Sequence, residues 1–399
     1  MCTWSMGERQ NFPVNQVLFD GDMVIEYFGV TQMPLPDLTE DKAIEVLRNF
    51  FREKPFLFFG TGMSCALDSQ FGMPALKDAL LERMQNQALT DAQNSAWKAF
   101  VSALDKGTDL ENALNSVVND EGLIKILTGI TGTFIAELDK RYAFRIAHEE
   151  TQWPAVRLFQ KLVATLPEGD CVLHALTPNY DMLFEYACDV AGIPYTNGFF
   201  GGVERRKDWN AVERALLTQE KICRGRRMTT VYKHKKHVRL YKVHGSLNYF
   251  FHRDAVIENN AWMWYPPDYA ERVMITPGLS KYQTLQKYRQ ELLQSADAAI
   301  DRATHFLFLG YGFNDSHLEE YIKRKLIAQA CNGLIITRDS NPRIESLLKE
   351  ANNLWLVCKL ADKGSNGSRI YNKQYSDWLM LPHKNIWDIR EFTKQILGG

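Results

Sequence analysis

An α/β fold built on a parallel, Rossmann-like sheet with a helical insertion subdomain is what this sequence predicts, on three observations. Short apolar runs recur along the 399 residues, several of them ending in glycine-bearing or polar loops. Helical periodicity fills most intervals between them, and one interval, about 75–165, is helical throughout. Strands alternating with helices imply right-handed crossovers and therefore a parallel sheet.

Residues 1–45 form an N-terminal arm in which Phe12-Pro13-Val14 and Met33-Pro34-Leu35-Pro36 interrupt any long element. A helix follows from about Thr39, a fair N-cap, to Arg52, with Ala43, Val46, Leu47 and Phe50 at helical spacing. Phe56-Leu57-Phe58-Phe59 then reads as a buried parallel strand that ends in Gly60-Thr61-Gly62-Met63-Ser64. The insertion reads as helices over 75–88, 92–104, 110–118, 122–139 and from about 151. The α/β pattern resumes with a strand at Cys171–Leu176, the loop Thr177-Pro178-Asn179-Tyr180-Asp181 and a helix to Ala191. A glycine-rich loop at 197–202 and a charged stretch to about Lys236 precede the strand Val238–Val243. Residues 250–280 are aromatic and irregular. The order then runs helix 283–302, strand 305–309, helix 316–330, strand 333–337, strand 354–360 and helix 386–397.

Composition excludes several function classes. The chain is 45% hydrophobic and 24% charged with a net charge of -1, so it is no polycation made to coat nucleic acid. Its seven cysteines stand singly, none spaced C-x-x-C, which fits reduced cytosolic thiols and removes the usual structural zinc pattern. No signal peptide opens the chain and no window reaches about 18 apolar residues, so a cytoplasmic protein without membrane spans is expected. The segment 221–242 is locally basic, and it is the one place where nucleic-acid contact is expected, against a reading as a solvated or partner-facing loop.

Four strands end in polar or glycine-bearing loops, at Gly60, Thr177, His244 and Gly310. In an open α/β sheet such loops gather at the carboxyl ends of the strands, around one ligand. Taken alone, each is weak. His244 by itself reads as a core histidine, Asn179 as a turn residue after Pro178, and Asp181 as a helix N-cap. Gly60-x-Gly62 lacks the third glycine of the dinucleotide fingerprint, because Cys65 stands there, and it lacks the Lys-Ser/Thr ending of a phosphate-binding P-loop.

In this order, Gly60-Thr61-Gly62-Met63-Ser64 with Gly72-Met73-Pro74, Thr177-Pro178-Asn179-Tyr180-Asp181, Lys242-Val243-His244-Gly245-Ser246 and Gly310-Tyr311-Gly312 resemble the sirtuin family. The Asn-Tyr-Asp and Gly-Tyr-Gly-Phe-Asn-Asp versions look most like the sirtuin-like NAD-hydrolysing effectors of bacterial antiphage defence. The resemblance implies a catalytic NAD-binding domain over 46–345 and a C-terminal strand and helix extension over 346–399. It implies that Gly60, Thr61, Gly62 and Ser64 wrap the diphosphate and that Pro74 also binds the cofactor. Asn179 would hold the nicotinamide ribose or the attacking water, Asp181 the nicotinamide carboxamide, and His244, next to Gly245, the ribose hydroxyls as base. Gly310 and Gly312 would close on the adenosine half, and Thr337 and Asp339, after the next strand, are the candidates for the adenine ribose.

Breaking the nicotinamide–ribose bond builds positive charge on the sugar while the leaving group departs neutral. The site must therefore position water and polarise hydroxyls, which an amide, a carboxylate and one imidazole suit. The paired C-x-x-C zinc module of sirtuin deacylases is missing, so lysine deacylation is disfavoured and no metal is expected. The implied function is hydrolysis of NAD, as substrate, to nicotinamide and ADP-ribose. A non-catalytic NAD or ADP-ribose sensor or assembly subunit is the alternative. About 55 residues after 345 are too few for a typical sensor domain. The resemblance further implies, as partners, other copies of the chain in a homo-oligomer and a separate ATPase or helicase of HerA type.

Overall fold

The apolar run after Pro55 becomes the central strand of a nine-stranded sheet. A computed structural model of the chain describes residues 34–117, 120–225, 227–274, 283–314, 316–361 and 366–398. Most of the expected N-terminal arm lies outside them, and Pro36–Gly399 form one compact unit.

Helix α1 (Glu40–Phe50) starts at Thr39, whose hydroxyl accepts the Lys42 N–H, and leads into β1 (Phe56–Phe59) and the short α2 (Thr61–Cys65). The insertion comprises α3 (Met73–Arg83), α4 (Asp91–Asp105), α5 (Leu110–Val117), α6 (Glu121–Ala147) and α7 (Val156–Ala164). α6 runs past its expected end at Asp139, because Tyr142, Ala143 and Ile146 continue its buried stripe and no glycine or proline intervenes. α7 begins later than Thr151, because Pro154 keeps the residue before it out of the helical region.

Next come β2 (Val172–Thr177), α8 (Leu183–Ala191), β3 (Tyr195–Thr196), β4 (Phe199–Gly201), β5 (Arg205–Lys207) and α9 (Trp209–Ala215). The hairpin β6 (Leu217–Arg224) and β7 (Arg227–His234) precedes β8 (His237–Lys242), β9 (Gly245–His252), β10 (Ala255–Glu258) and β11 (Glu271–Met274). Then follow α10 (Gln283–Arg302), β12 (His305–Leu309), α11 (Ser316–Lys323), β13 (Asn332–Ile336), α12 (Pro342–Glu350) and β14 (Leu354–Lys359). β15 (Ser368–Tyr371), β16 (Leu379–Leu381) and α13 (Ile389–Leu397) close the chain.

Three expectations are corrected here. The charged stretch up to Lys236 is not a loop; it holds β5, α9 and the β6–β7 hairpin. The aromatic stretch after 250 belongs with β9, β10 and β11 to a second, five-stranded antiparallel sheet in which the first six residues of β9 are all buried. Burial on both faces removes the polar alternation that marks a strand in sequence. The expected helix 316–330 stays α-helical only to Lys323 and widens into a π-helical turn over Arg324–Ala328.

The large sheet has the order β16-β15-β14-β13-β12-β1-β2-β8-β3, and β15 alone runs against the direction of the rest, so that its pairings with β14 and β16 are antiparallel. The chain steps from β1 through β2 to β8 on one side, then returns to β12, β13 and β14 on the other. The reversal between β1 and β12 is a topological switch point, where a crevice opens beyond the strand ends. Leu57 and Phe59 join one core layer with α1, α7, α8 and α13; Phe56 and Phe58 join another, with Phe306 and Phe308 and residues of α10, α11 and α12. The insertion has a separate core around Leu80, Phe100, Leu110, Leu123 and Leu127. Among the described residues no helix is long and apolar enough to cross a membrane.

The two glycine loops at the switch point touch backbone to backbone. Gly62 N–H donates to the Gly310 carbonyl at 3.1 Å, and Gly60 N–H to Leu309 at 3.0 Å. A Cβ on Gly62 would lie 2.7 Å from Gly310 Cα, and Gly310 has φ +52. Gly310→Ala is expected to lower the unfolding free energy in urea by about 1–3 kcal/mol, through overpacking and a strained left-handed backbone.

Candidate functional site

Register sets the level of every strand end. Phe58, Leu176, Tyr241, Phe308, Ile335 and Leu356 form one row across β1, β2, β8, β12, β13 and β14. Thr61, Asn179, His244, Tyr311 and Arg338 each stand three residues beyond that row, at the carboxyl edge. With strands about 4.8 Å apart, His244 and Thr61 belong to strands about 10 Å apart with the Asn179 strand between them.

Asn179 and Asp181 are buried, at 7% and 9% exposure, and a chain of hydrogen bonds orients them. The Ser64 hydroxyl donates to Asp181 Oδ2 at 2.8 Å, so its oxygen is left to accept from Asn179 Nδ2 at 3.2 Å. That fixes the Asn179 amide with Oδ1 toward the Thr61 hydroxyl, 3.5 Å away. Asn179 N–H also donates to Thr177 Oγ1, which tightens the turn. Asp181 Oδ1 accepts Leu183 N–H at 3.3 Å, so both carboxylate oxygens are engaged within the protein. Burial raises the Asp181 pKa, opposed by Lys242 and by the Ser64 hydroxyl.

The loop that carries these residues is clamped from below. Lys242 Nζ donates to the carbonyls of Asp181 at 2.5 Å and Tyr180 at 3.4 Å, and pairs with Glu185 Oε1 at 2.8 Å. The Lys242 and Glu185 side chains are 1% and 3% exposed, and burial raises the Glu185 pKa against the pull of the ammonium. Leu247 N–H and the Ser246 hydroxyl also donate to the Tyr180 carbonyl. On the other side, Asp139 of α6 accepts Met182 N–H and Tyr186 OH, both at 2.7 Å, and Trp264 Nε1–H at 3.2 Å. Burial pushes its carboxyl up to about 6 in spite of these three donors.

His244 lies half-buried in the two-residue turn between β8 and β9. Gly245 follows with φ +87 and lies so close to the Val273 carbonyl that any Cβ would be 2.1 Å from it. Gly245 therefore shapes the turn, buried in the β9–β11 ladder, rather than facing a ligand. Gly60 and Gly62 spend their N–H groups on β12 and its loop, and Ser64 is fully buried, so these three support the site from within. Thr61 is half-buried. Gly312 offers its carbonyl to Asn341 at 3.0 Å. Pro74 is exposed at the start of α3, and Asp339 is exposed in a 2.7 Å pair with Arg338.

Sequence reasoning missed Lys242, Glu185 and Asp139 as supports of the site. A signal existed for Asp139: it sits on the buried stripe Ala136, Tyr142, Ala143 of α6, where an acid is out of place. Among the described residues no group of three or more His, Cys, Asp or Glu side chains forms a cluster fit for a metal ion.

Residues 173–356 match the family model described as a SIR2-like domain. The match takes in Asn179, Asp181, His244, Gly310, Gly312 and Asp339 and leaves out Gly60–Ser64 and Pro74. No curated protein sequence matches the chain. Solved structures similar to it include one described as the structural basis for the mechanism and regulation of Sir2 enzymes. It has 13% identity and a TM-score of 0.38, over 78% of this chain and 98% of that one. Another is a Sir2 mutant with a p53 peptide and NAD, at 11% identity and a TM-score of 0.37, over 89% of this chain and 97% of that one.

Two outcomes are expected. Lys242→Met leaves Glu185 buried and uncompensated and should cost about 3–5 kcal/mol in urea unfolding, much of which the double variant Lys242→Met/Glu185→Leu should recover. Asp139 has its folded pKa raised from 3.8 to about 6, so the folded state holds a proton that the unfolded chain has released. Its stabilising contribution is fully present below pH 3.8 and is lost as pH rises through about 6. Between pH 5 and 7.5 the wild type should lose roughly 1 kcal/mol relative to Asp139→Asn, read from urea midpoints at the two pH values.

Proposed function

We propose that the protein is an NAD glycohydrolase that cleaves NAD to nicotinamide and ADP-ribose. The observation that carries the reading is the common level of Thr61, Asn179 and His244 beyond one cross-strand row, beside the switch-point crevice and largely inside the region that matches a SIR2-like domain. Water attacks the anomeric carbon of the nicotinamide ribose, the glycosidic bond breaks, and nicotinamide leaves neutral. The proton of the attacking water passes to His244. Asn179, its amide direction set through Ser64 by Asp181, positions the ribose or the water. Asp181 acts through Ser64 rather than by touching the substrate.

The same reading makes the protein an effector of antiphage defence that depletes cellular NAD. Its assembly into a homo-oligomer and its control by a separate ATPase of HerA type belong to that proposal. Phage challenge of cells expressing the pair, with cellular NAD followed over time, tests it.

A binding-only sensor of NAD or ADP-ribose is the second reading, favoured by the full engagement of Asp181 within the protein. Purified protein incubated with NAD, with and without the ATPase, separates the two through nicotinamide release. Asn179→Ala and His244→Ala are each expected to reduce the rate by about 10²–10⁴-fold, with circular dichroism of each variant confirming that it is folded at the assay temperature. Binding of ADP-ribose without nicotinamide release under any condition would establish the sensor instead. Release only with an acetyl-lysine peptide would identify a deacylase.

A further inference from the structure

Among the described residues the β6–β7 hairpin pairs with no other strand, and its two eight-residue strands run antiparallel from Leu217↔His234 to Arg224↔Arg227. At about 3.4 Å per residue it is an arm about 27 Å long. An isolated two-stranded hairpin is marginal in water, so an arm of this length is a feature that a partner would complete.

Residues directly opposite each other share a face. One face carries Leu217, Gln219, Lys221 and Cys223 from β6 and Met228, Thr230, Tyr232 and His234 from β7, and all eight are exposed. Three of them are large apolar side chains, with Leu217 at 38%, Tyr232 at 63% and Met228 at 69% exposure. The opposite face holds the half-buried Thr218, Ile222, Val231 and Lys233. Ile222 and Val231 are thus partly covered on the inner face, whereas Leu217, Met228 and Tyr232 stand on the uncovered one, more apolar surface than a hairpin packed only on its own protein needs there.

Charge says what covers that side. Residues 217–236 contain seven Lys and Arg and one Glu, a net +6, whereas the whole chain is at -1, so the remainder stands at -7. The exposed face itself is not built for phosphates. It carries one lysine, Lys221, and His234 lies 3.8 Å from Glu213. On the other face Lys233 is already paired with Glu220 at 3.0 Å and Glu168 at 3.8 Å. An apolar centre within a cationic arm matches a protein surface with an apolar centre and an acidic rim.

We propose that the exposed face of the β6–β7 hairpin is a docking site for an acidic, apolar-bearing segment of a separate protein, which adds along a free edge of the hairpin and covers Leu217, Met228 and Tyr232. The probe is a labelled ten-residue peptide alternating glutamate with valine and tyrosine, titrated into the full-length protein and followed by fluorescence anisotropy. Saturable, salt-weakened binding is expected, reduced about tenfold or more by Tyr232→Ser and by Met228→Ser. A peptide with lysine in place of glutamate should not bind. Both variants should keep the wild-type melting temperature, because neither side chain is in a core. Absence of peptide binding, or binding that both variants leave unchanged, overturns the proposal. So does binding of a duplex or single-stranded DNA that the two variants abolish, which would make the arm a nucleic-acid contact. Concentration-dependent self-association lost in the same variants would assign the face to a second copy of the chain and overturn it equally.

Discussion

A buried ammonium under a polar loop is the constraint on which the rest of the site depends. Lys242 has three protons to donate, and the Asp181 carbonyl, the Tyr180 carbonyl and Glu185 take them. Water does not reach this pair, so each donor must find a protein acceptor, and the available acceptors are the backbone of the loop that carries Asn179 and Asp181. The cost of burying the charge thereby becomes rigidity in the loop. From that fixed loop the order propagates upward, through Asp181 to Ser64 and through Ser64 to the Asn179 amide.

The same loop is the meeting point of three parts of the chain. Lys242 belongs to β8, Ser64 to α2 after β1, and Asp139 to the helical insertion. The insertion has its own small core, yet α6 sends a buried carboxylate to the Met182 N–H, beside Asp181. This gives the insertion a structural reason to exist next to the sheet: its longest helix supplies one wall of the loop. On the far side the Gly62–Gly310 contact holds the two glycine loops together at the switch point. The close approach there leaves no room for a side chain.

Much of this was legible in the sequence. The strand ends at Gly60, Thr177, His244 and Gly310 could be named from apolar runs and the polar residues after them, and the parallel sheet followed from their alternation with helices. The roles of individual residues were less legible. Ser64, Gly60 and Gly62 face inward to the protein, and Gly245 serves a turn against Val273, although all four stand in the loops that sequence marks. The short strands β15 and β16 and the sheet around β9 escaped, because strands of three or four residues, or strands buried on both faces, carry no period-two signal.

By itself, the sequence determined the order of the main parallel strands and the helices between them, and the residue types at each of those strand ends, because these depend on local periodicity and on where glycine, proline and asparagine fall. Only the tertiary structure decided which of those residues share a level and which donors meet which acceptors. Register between strands far apart in the chain, and the pairing of buried charges such as Lys242 with Glu185 and Asp139 with Met182, are properties of packing. They arise when desolvated groups must satisfy one another, and no local pattern of residues encodes the partner.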